Sequence, residues 1–202
     1  KPFFGIESSK SRFHVTHSPT ISVVMSSYNH EKFIGDAITS VLCQDADLEL
    51  IIVDDFSTDH SRQLIDKWQA KDSRIRAEFH ESNQGIPRTI NDGLRLAKGK
   101  YIVLSSGDDM FRSHALSEIV QLLEGREDID VVVLEAECID ARNKSLGFLF
   151  SDLRKRPPIS EGIFFHLLVR GNFVCTGAVR RSTMQKKRIL FNEDLKYLND
   201  WM

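Results

Sequence analysis

The sequence predicts an α/β protein with a mainly parallel central sheet that helices cover on both faces. Between Thr20 and Gly125, short apolar runs alternate with stretches whose apolar residues recur at helical spacing. This alternation is typical of parallel strands that are joined by helices. The first apolar run is rich in β-branched residues, which indicates a buried strand. The polar residues of this region fall where the predicted strands end.

Eight elements are expected in this first region. The strands are 20–27, 48–55, 75–80 and 100–106, and the helices are 30–44, 57–71, 85–99 and 114–125. Ile34, Ile38 and Val41 mark one apolar face of the first helix. The second helix opens with capping residues, and Gly99 closes the third.

The second region is less regular. We expect a strand over 128–140 with a hairpin partner at 142–150, a loop at 154–160 and a helix at 161–171. A strand at 172–181 is expected to lead into a short helix at 181–187, and 192–202 to form a loop followed by a helix. Residues 1–19 are expected to be an N-terminal extension, and 20–202 one domain.

Composition narrows the class of protein. Hydrophobic residues make up 41% and charged residues 28% of the chain, as in soluble globular domains. A net charge of -2 gives no overall attraction to nucleic acid, so we expect none as a partner. Cys43, Cys138 and Cys175 are widely spaced, which indicates free thiols and a cytoplasmic location.

The ends of the chain suggest a domain of something longer. The sequence does not begin with Met, lacks a signal-peptide core and has no apolar run of the roughly 18 residues that span a bilayer. It stops directly after an amphipathic stretch. We therefore expect an excised domain, truncated at its C-terminus, whose missing regions provide any peripheral association with the inner face of the membrane.

Three strand ends carry the candidate site. In parallel sheets, ligands bind beyond the carboxyl ends of the strands, where the topology switches. The polar groups there are Ser26, Ser27, Tyr28 and Asn29, then Asp54 and Asp55, then Asp108 and Asp109. Asp108 and Asp109 fit an ordinary turn, but they also fit a site where an ion neutralises two repelling carboxylates.

Several other chemistries are disfavoured. The first strand is followed by "SSYNHEKFIG" rather than the GxGxxG of a dinucleotide-binding domain, and the chain contains no GxxxxGK[ST]. No HExxH occurs among the seven scattered histidines. His30, His60 and His114 lie near helix starts, where capping or solvation is the default interpretation.

Three segments, in this order and spacing, carry a family resemblance: "ISVVMSSYNHEKFIGDAITSVLCQ", "ELIIVDDFSTDHS" and "NQGIPRTINDGLRLAKGKYIVLSSGDDMF". Together they resemble the nucleotide-binding half of glycosyltransferase family 2, which contains inverting enzymes with the GT-A fold. The resemblance is strong over 20–111 and looser to the end of the chain. It implies a three-layer α/β/α fold with a mainly parallel, mixed sheet, a nucleotide-binding half at 20–111 and an acceptor-binding half at 112–202.

The resemblance implies transfer of a sugar from a nucleoside-diphosphate donor, with UDP favoured by analogy, to a saccharide or lipid-linked saccharide acceptor. Mg²⁺ or Mn²⁺ would neutralise the leaving diphosphate. Asp109 is then the expected metal ligand, and Asp108 contacts the ribose or the water shell of the metal. The family motif Asp-x-Asp-Asp has Ser106 in its first acidic place here, so we expect weaker metal binding without nucleotide.

The same resemblance gives roles to four further residues. Asp55 is expected to accept a hydrogen bond from the donor base, although it could instead face the N-terminus of the helix that follows it. Ser26 and Tyr28 would hold the base, Tyr28 by stacking, with a core tyrosine as the alternative. Arg88 would lie near the donor, or on a solvated helix face.

An inverting transfer also needs a carboxylate that takes the proton of the acceptor. "YLNDWM" resembles the family's late acidic motif, with Asp200 as the base and Asn199 where Glu is common. Glu193 and Asp194 are rivals that are more typical of a helix start. The basic clusters 154–156 and 186–188 are expected to lie on the solvated surface, with anionic lipid or an acidic acceptor as alternative partners. A sugar nucleotidyltransferase and a non-catalytic binding module are the competing functions.

Overall fold

The computed structural model describes residues 18–140, 142, 144–148 and 177–194. The strands are β1 Ile21–Ser27, β2 Leu48–Asp54, β3 Ile75–Phe79, β4 Tyr101–Ser106, β5 Val131–Val133, β6 Glu137–Ile139, β7 Ser145–Phe148 and β8 Gly177–Arg180. The helices are α1 Ile34–Leu42, α2 Ser61–Gln69, α3 Ile86–Leu96, α4 Ala115–Gly125 and α5 Arg181–Lys187. All eight elements that the sequence predicts up to residue 125 are present, and each helix is shorter than expected.

Six strands form one sheet in the order β3-β2-β1-β4-β8-β5. The pairs β1–β2, β1–β4 and β2–β3 are parallel, and β8 runs antiparallel to both β4 and β5. The mixed, mainly parallel sheet is therefore confirmed. The chain moves outward from β1 to β3 and returns to β4 on the other side of β1, so the topology switches between β1 and β4.

Alternating side chains in the strands bury two separate cores, because successive residues of a strand point to opposite faces. Val23 and Met25 of β1 belong to the core that α1, α2 and α4 cover. Val24 belongs to the core on the other face, beneath α3 and α5. This arrangement confirms three layers. A Cβ at Gly93 would lie 2.4 Å from Val24 Cγ1, so glycine lets α3 approach β1 closely.

The single strand predicted over 128–140 is wrong. The structure divides it into β5, in the large sheet, and β6, which pairs with β7 in a two-stranded sheet. Within the described residues, β5 pairs with β8 from Val131 to Val133, and an apolar run does not reveal which partner strand each part of it meets. The expected hairpin partner is confirmed as β7.

The strand that leads into a short helix is confirmed as β8 and α5. The expected helix at 161–171, the loop at 154–160 and most of 192–202 lie outside the described residues. The division into an extension, a donor half and an acceptor half stays a prediction. Within the described ranges, no helix has both the length and the apolarity to cross a bilayer.

Candidate active site

The register of the parallel strands brings the three polar strand ends to one edge of the sheet. Ser27 of β1 pairs with Asp54 of β2, and Ser26 pairs with Ser106 of β4. Backbone hydrogen bonds extend this contact beyond the strands. The N–H of Asp55 donates to Ser27 O at 2.8 Å, and the N–H of Gly107 donates to Ser26 O at 2.8 Å. The three strand ends therefore lie side by side at the switch point.

Asp54 is part of the scaffold beneath this edge. Its buried carboxylate accepts hydrogen bonds from Ser27 Oγ at 3.1 Å, from the Ser57 N–H at 2.9 Å and from Ser57 Oγ at 2.5 Å. These bonds tie the end of β1 to the turn after β2. Because Asp54 is fully buried and these three bonds are all internal, Asp54 holds the site together rather than facing a ligand.

Tyr28 lies at the rim of the site. It follows β1 directly, and 45% of its surface is exposed, so the structure does not place it in the core. Its neighbour Asn29 has φ +57°, a conformation that asparagine tolerates better than most residues. Asn29 Oδ1 accepts a hydrogen bond from the Thr58 N–H at 2.8 Å, which fixes the chain next to Tyr28. Ser26 is half-buried one residue before the end of β1.

Asp55 is buried at the end of β2, with 5% of its surface exposed. Its carboxylate accepts hydrogen bonds from the Gln84 N–H at 2.7 Å and the Gly85 N–H at 2.9 Å, and it lies 2.8 Å from His80 Nδ1. These partners precede α3, so the structure does not place Asp55 against α2, the alternative from sequence. The three contacts occupy three of about four acceptor positions of a carboxylate and leave one at Oδ2.

The turn after β4 holds the paired carboxylates. Ser106 Oγ donates a hydrogen bond to Asp108 Oδ1, and the Asp109 N–H donates to Ser106 O at 3.1 Å. Burial raises the pKa of Asp109, and the neighbouring Asp108 carboxylate raises it further. Asp109 is nevertheless exposed to solvent. Many protein atoms surround its carboxyl group, but the cleft in which it lies is open.

His30 was not expected at this site. Its Nε2 lies 3.9 Å from Asp108 Oδ1, and its Nδ1 is buried without a hydrogen-bond partner in the part of the chain that the structure describes. A Cβ at Gly107 would lie 2.6 Å from this Nδ1, so the glycine admits the ring. His60 and His114 pair instead with Glu31 and Asp45 and do not cap helices through their side chains.

A cleft of about 450 Å³ opens beside the paired carboxylates. Asp108 and Asp109 line it together with apolar and polar side chains from β4, the turn after β4 and the segment that joins β5 to β6. Its apolar members include Leu104, Met110, Phe111, Leu134 and Ile139, and its polar members Ser40, Ser105, Arg112, Glu135 and Glu137. The cleft therefore joins the predicted donor half to the beginning of the predicted acceptor half.

Arg88 is paired with two carboxylates. Its Nε lies 2.9 Å from Asp92 Oδ2 and its Nη1 lies 3.1 Å from Glu193 Oε2. Hydrogen bonds to Glu193 and then to Asp92 raise the pKa of Arg88. The bonds from Asn91, Arg88 and Arg95 lower the pKa of Glu193 to about 2. Glu193, a rival for the catalytic base, thus belongs to an ion cluster with Arg88, Asp92 and Arg95 of α3.

Asn91 was also missed by the sequence analysis. It is buried on α3, accepts a hydrogen bond from the Phe191 N–H at 2.9 Å and donates one to Phe191 O at 2.9 Å. The available signal was a polar residue among the positions of α3 that face the sheet. Asp200 and Asn199 lie outside the described residues, as do Cys175 and 154–156. The basic cluster at 186–188 is exposed.

The paired carboxylates fit one kind of metal site. Among the described residues, no group of three or more His, Cys, Asp or Glu side chains could hold an ion. Asp108 and Asp109 nevertheless offer hard oxygen atoms. Burial is the main cause of the raised pKa of Asp109, and the Asp108 carboxylate adds a repulsion that a cation would relieve. Mg²⁺ commonly binds one or two carboxylates together with phosphate oxygens. The pair therefore suits a divalent cation whose remaining ligands come from a bound diphosphate.

Residues 22–189 match the sequence model of glycosyl transferase family 2, and the chain therefore belongs to this family. An uncharacterized glycosyltransferase from Nostoc sp. is 32% identical over 172 residues, which cover 82% of this chain and 52% of that relative. The chain spans about half the length of the curated relatives that it matches.

Two solved structures share the GT-A fold with this chain. S. aureus TarS, solved with UDP and with UDP-GlcNAc, superposes with a TM-score of 0.71 at 21% identity, covering 90% of this chain and 53% and 51% of the respective TarS chains. The mannosyltransferase PcManGT from Pyrobaculum calidifontis, solved with GDP-Man and Mn²⁺, gives a TM-score of 0.63 at 18% identity and covers 92% of this chain and 51% of that one.

Proposed function

We propose that this chain transfers a sugar from a UDP-sugar to an acceptor hydroxyl, with inversion at the anomeric carbon, in polysaccharide or glycoconjugate synthesis. One observation carries the proposal. Three strand ends meet at the topological switch point, and they bring the Asp55 carboxylate and the Asp108–Asp109 pair to the same edge of the sheet. Those are the groups that a nucleotide base and a metal-bound diphosphate require.

The donor base is proposed to bind Asp55, Ser26 and Tyr28. The acceptor position that remains at Asp55 Oδ2 suits a ring N–H, which uracil offers. The exposed ring of Tyr28 offers a stacking surface at the rim. The UDP bound by TarS supports uracil, whereas the GDP-Man bound by PcManGT keeps guanine as a competitor.

The diphosphate is proposed to lie at the turn after β4. Asp109 would hold Mg²⁺ or Mn²⁺, and Asp108, oriented by Ser106 Oγ, would contact the ribose or the water shell of the metal. When bound, the cation supplies positive charge that stabilises the leaving diphosphate. Arg88 would add positive potential near the donor from its place in the ion cluster, since direct contact requires release of Asp92 or Glu193.

The acceptor is proposed to be a saccharide or lipid-linked saccharide that enters the cleft beside Asp109. Apolar side chains and polar groups both line this cleft, which suits a sugar ring with its hydroxyl groups. The Asp200 carboxylate is proposed to take the proton of the acceptor hydroxyl. The hydroxyl oxygen forms a bond to the anomeric carbon while the bond from that carbon to the diphosphate oxygen breaks.

Calorimetric titration with UDP, dTDP, GDP and ADP, each with and without Mn²⁺, tests the donor site. We expect UDP to bind, Mn²⁺ to strengthen that binding, and Asp109→Asn to remove the effect of Mn²⁺. Asp128→Asn is the matched control, because Asp128 is exposed after α4 and pairs with Arg126. If none of the four nucleotides binds in either condition, the proposed function is wrong.

A non-catalytic binding module is the second candidate. Ser106 in the first acidic place of the motif favours it, because fewer carboxylates weaken a metal site. Asp200→Asn separates the two functions. Loss of transferase activity with donor binding retained supports the enzyme, whereas activity unchanged by Asp200→Asn would contradict the proposed role of that residue.

A further inference from the structure

We propose that His80 is a positioning residue that holds the Asp55 carboxylate for the donor base, and that its protonated form holds this carboxylate best. The inference rests on the proposed role of Asp55 as the acceptor for the base. It adds a residue to the donor site that the family motifs did not indicate, and it makes donor affinity depend on pH through the protein.

The imidazole of His80 bridges two carboxylates from different elements. Nδ1 lies 2.8 Å from Asp55 Oδ1, at the end of β2, and Nε2 lies 3.3 Å from Asp92 Oδ2, on α3. Only 13% of the His80 side chain is exposed. The His80 N–H also donates to Asp54 O at 2.9 Å, which fixes the residue beside the end of β2.

The two ring nitrogen atoms cannot both serve a carboxylate when the ring is neutral. An imidazolium carries two N–H groups and can donate to both acceptors, whereas a neutral imidazole carries one. The other nitrogen then presents a lone pair to a carboxylate. Nε2 is buried and, within the described residues, makes no well-formed hydrogen bond. Its contact with Asp92 therefore depends on the charge of the ring.

The surrounding charges make Asp55 the more sensitive of the two partners. Arg88 and Arg95 of α3 both pair with Asp92, and Glu193 binds these two arginines from the other side. The nearby Arg62 of α2 faces Asp54, at 3.9 Å. Among the contacts of the described residues, His80 is the one basic side chain that pairs with Asp55.

A neutral ring keeps one N–H, which the 2.8 Å contact favours at Nδ1, so Asp55 then keeps a hydrogen bond but loses its positively charged partner. Asp92 keeps its two arginines in either case. Histidine in general changes charge between about pH 5 and 8. We therefore expect the contribution of His80 to donor affinity to be larger at the acidic end of that range, because a charged donor binds a carboxylate more strongly than a neutral one.

Calorimetric titration of the full chain with UDP-GlcNAc and Mn²⁺, at about pH 5.5 and about pH 8, tests this inference. The two phosphates of this probe do not titrate in that range. Any change in the charge of Asp109 with pH is common to every variant, so its effect cancels in the ratio of a variant's Kd to the wild-type Kd. His80→Asn places an amide N–H where Nδ1 lies but carries no titrating proton.

We expect His80→Asn to bind about tenfold more weakly than wild type at the lower pH, since hydrogen bonds to charged groups contribute about 1.5–3 kcal/mol. At the higher pH the ratio should fall to below about threefold, because a neutral imidazole, like the Asn amide, gives Asp55 a hydrogen bond without a positive charge. His80→Ala should bind more weakly at both values, and thermal unfolding checks that it folds. His114→Asn is the matched control, since its partner Asp45 precedes β2 at the opposite edge of the sheet.

Two results overturn the inference and are distinct from failure of the proposed function. A Kd ratio for His80→Asn that is the same at both pH values means that His80 only supports the fold. A ratio near one at both values means that it has no role in donor binding. If wild-type protein binds no UDP-sugar and no nucleotide of the panel, the proposed function itself fails, and the inference fails with it.

Discussion

The sheet contains two unlike regions. β2 lies between the two cores, and its residues Leu50 to Val53 are fully buried. β5, at the other end of the sheet, has three residues, and Val131 and Val133 are 53% and 37% exposed. The strands of the first region gain stability from helices on both faces. Those of the second region depend on pairing with β8, which follows β5 by more than forty residues.

This difference separates the two proposed tasks of the site. The strand ends that we propose to face the donor belong to the buried region, where a dense core fixes their positions. The far wall of the cleft comes from the segment between β5 and β6, which buries fewer apolar side chains. We infer that donor binding depends on a rigid scaffold, whereas the acceptor side can change with less cost to the fold.

The largest expected effect is on kcat. It tests whether the reacting groups lie at the strand ends of the buried region. Asp109→Asn should lower kcat at least about 100-fold, because it removes the proposed ligand of a cation that would stabilise the leaving group. Steady-state kinetics with excess donor and Mn²⁺ measures this. Asp128→Asn should leave kcat within about twofold of wild type. Retained activity in Asp109→Asn would mean that the donor chemistry lies elsewhere.

A matched pair of glycines compares the stability of the two regions. A Cβ at Gly99 would lie 2.5 Å from the Ser22 backbone nitrogen, and one at Gly177 would lie 2.6 Å from Val132 O. Because β1 is fixed between two cores and β5 is an edge strand, Gly99→Ala should cost about 3 kcal/mol and Gly177→Ala about 1 kcal/mol. Urea unfolding measures both values.

Gly125→Ala is the control for this pair, since a Cβ there meets no atom within 4 Å. Its free energy of unfolding should stay within about 0.5 kcal/mol of wild type. Equal costs for Gly99→Ala and Gly177→Ala would contradict the difference in rigidity between the regions.

Asn91 joins the two regions and offers a smaller effect. Asn91→Ala removes the hydrogen bonds to both backbone groups of Phe191, so it should cost about 1–2 kcal/mol of unfolding free energy. Asn192→Ala is the control, because Asn192 is exposed and bonds locally to the Asp194 N–H. An equal loss of unfolding free energy in both variants would mean that the hydrogen bonds between Asn91 of α3 and Phe191 contribute no specific stability.

The smallest effect concerns the pH dependence of the same attachment. The pKa of Glu193 is lowered to about 2, so its contribution is present above the usual glutamate range and is lost as the pH falls towards 2. The protection of the Phe191 amide against hydrogen exchange, relative to its intrinsic exchange rate at each pH, should therefore decrease over that range. Glu193→Gln should remove this dependence, and exchange that is unchanged by the substitution would contradict the assignment.

The fold of the first region could be predicted because its information is local. The alternation from Thr20 to Gly125 specified each strand and helix, and the polar strand ends followed from the rule for parallel sheets. The strand at 128–140 could not be predicted correctly, since β5 and β6 pair with strands of two different sheets and the apolar run carries no mark of that division. The roles of Asp109 and Asp55 came from the family resemblance and remain predictions.

The sequence alone determined the α/β class, the strand ends that meet at the switch point and the family motifs, because apolar periodicity and turn chemistry act over a few residues. Only the tertiary structure decided the partners of the polar groups. His80 meets Asp55 across 25 positions, and Arg88 meets Glu193 across 105. Such pairs form because packed helices and strands bring distant side chains together, and no local pattern records which elements become neighbours.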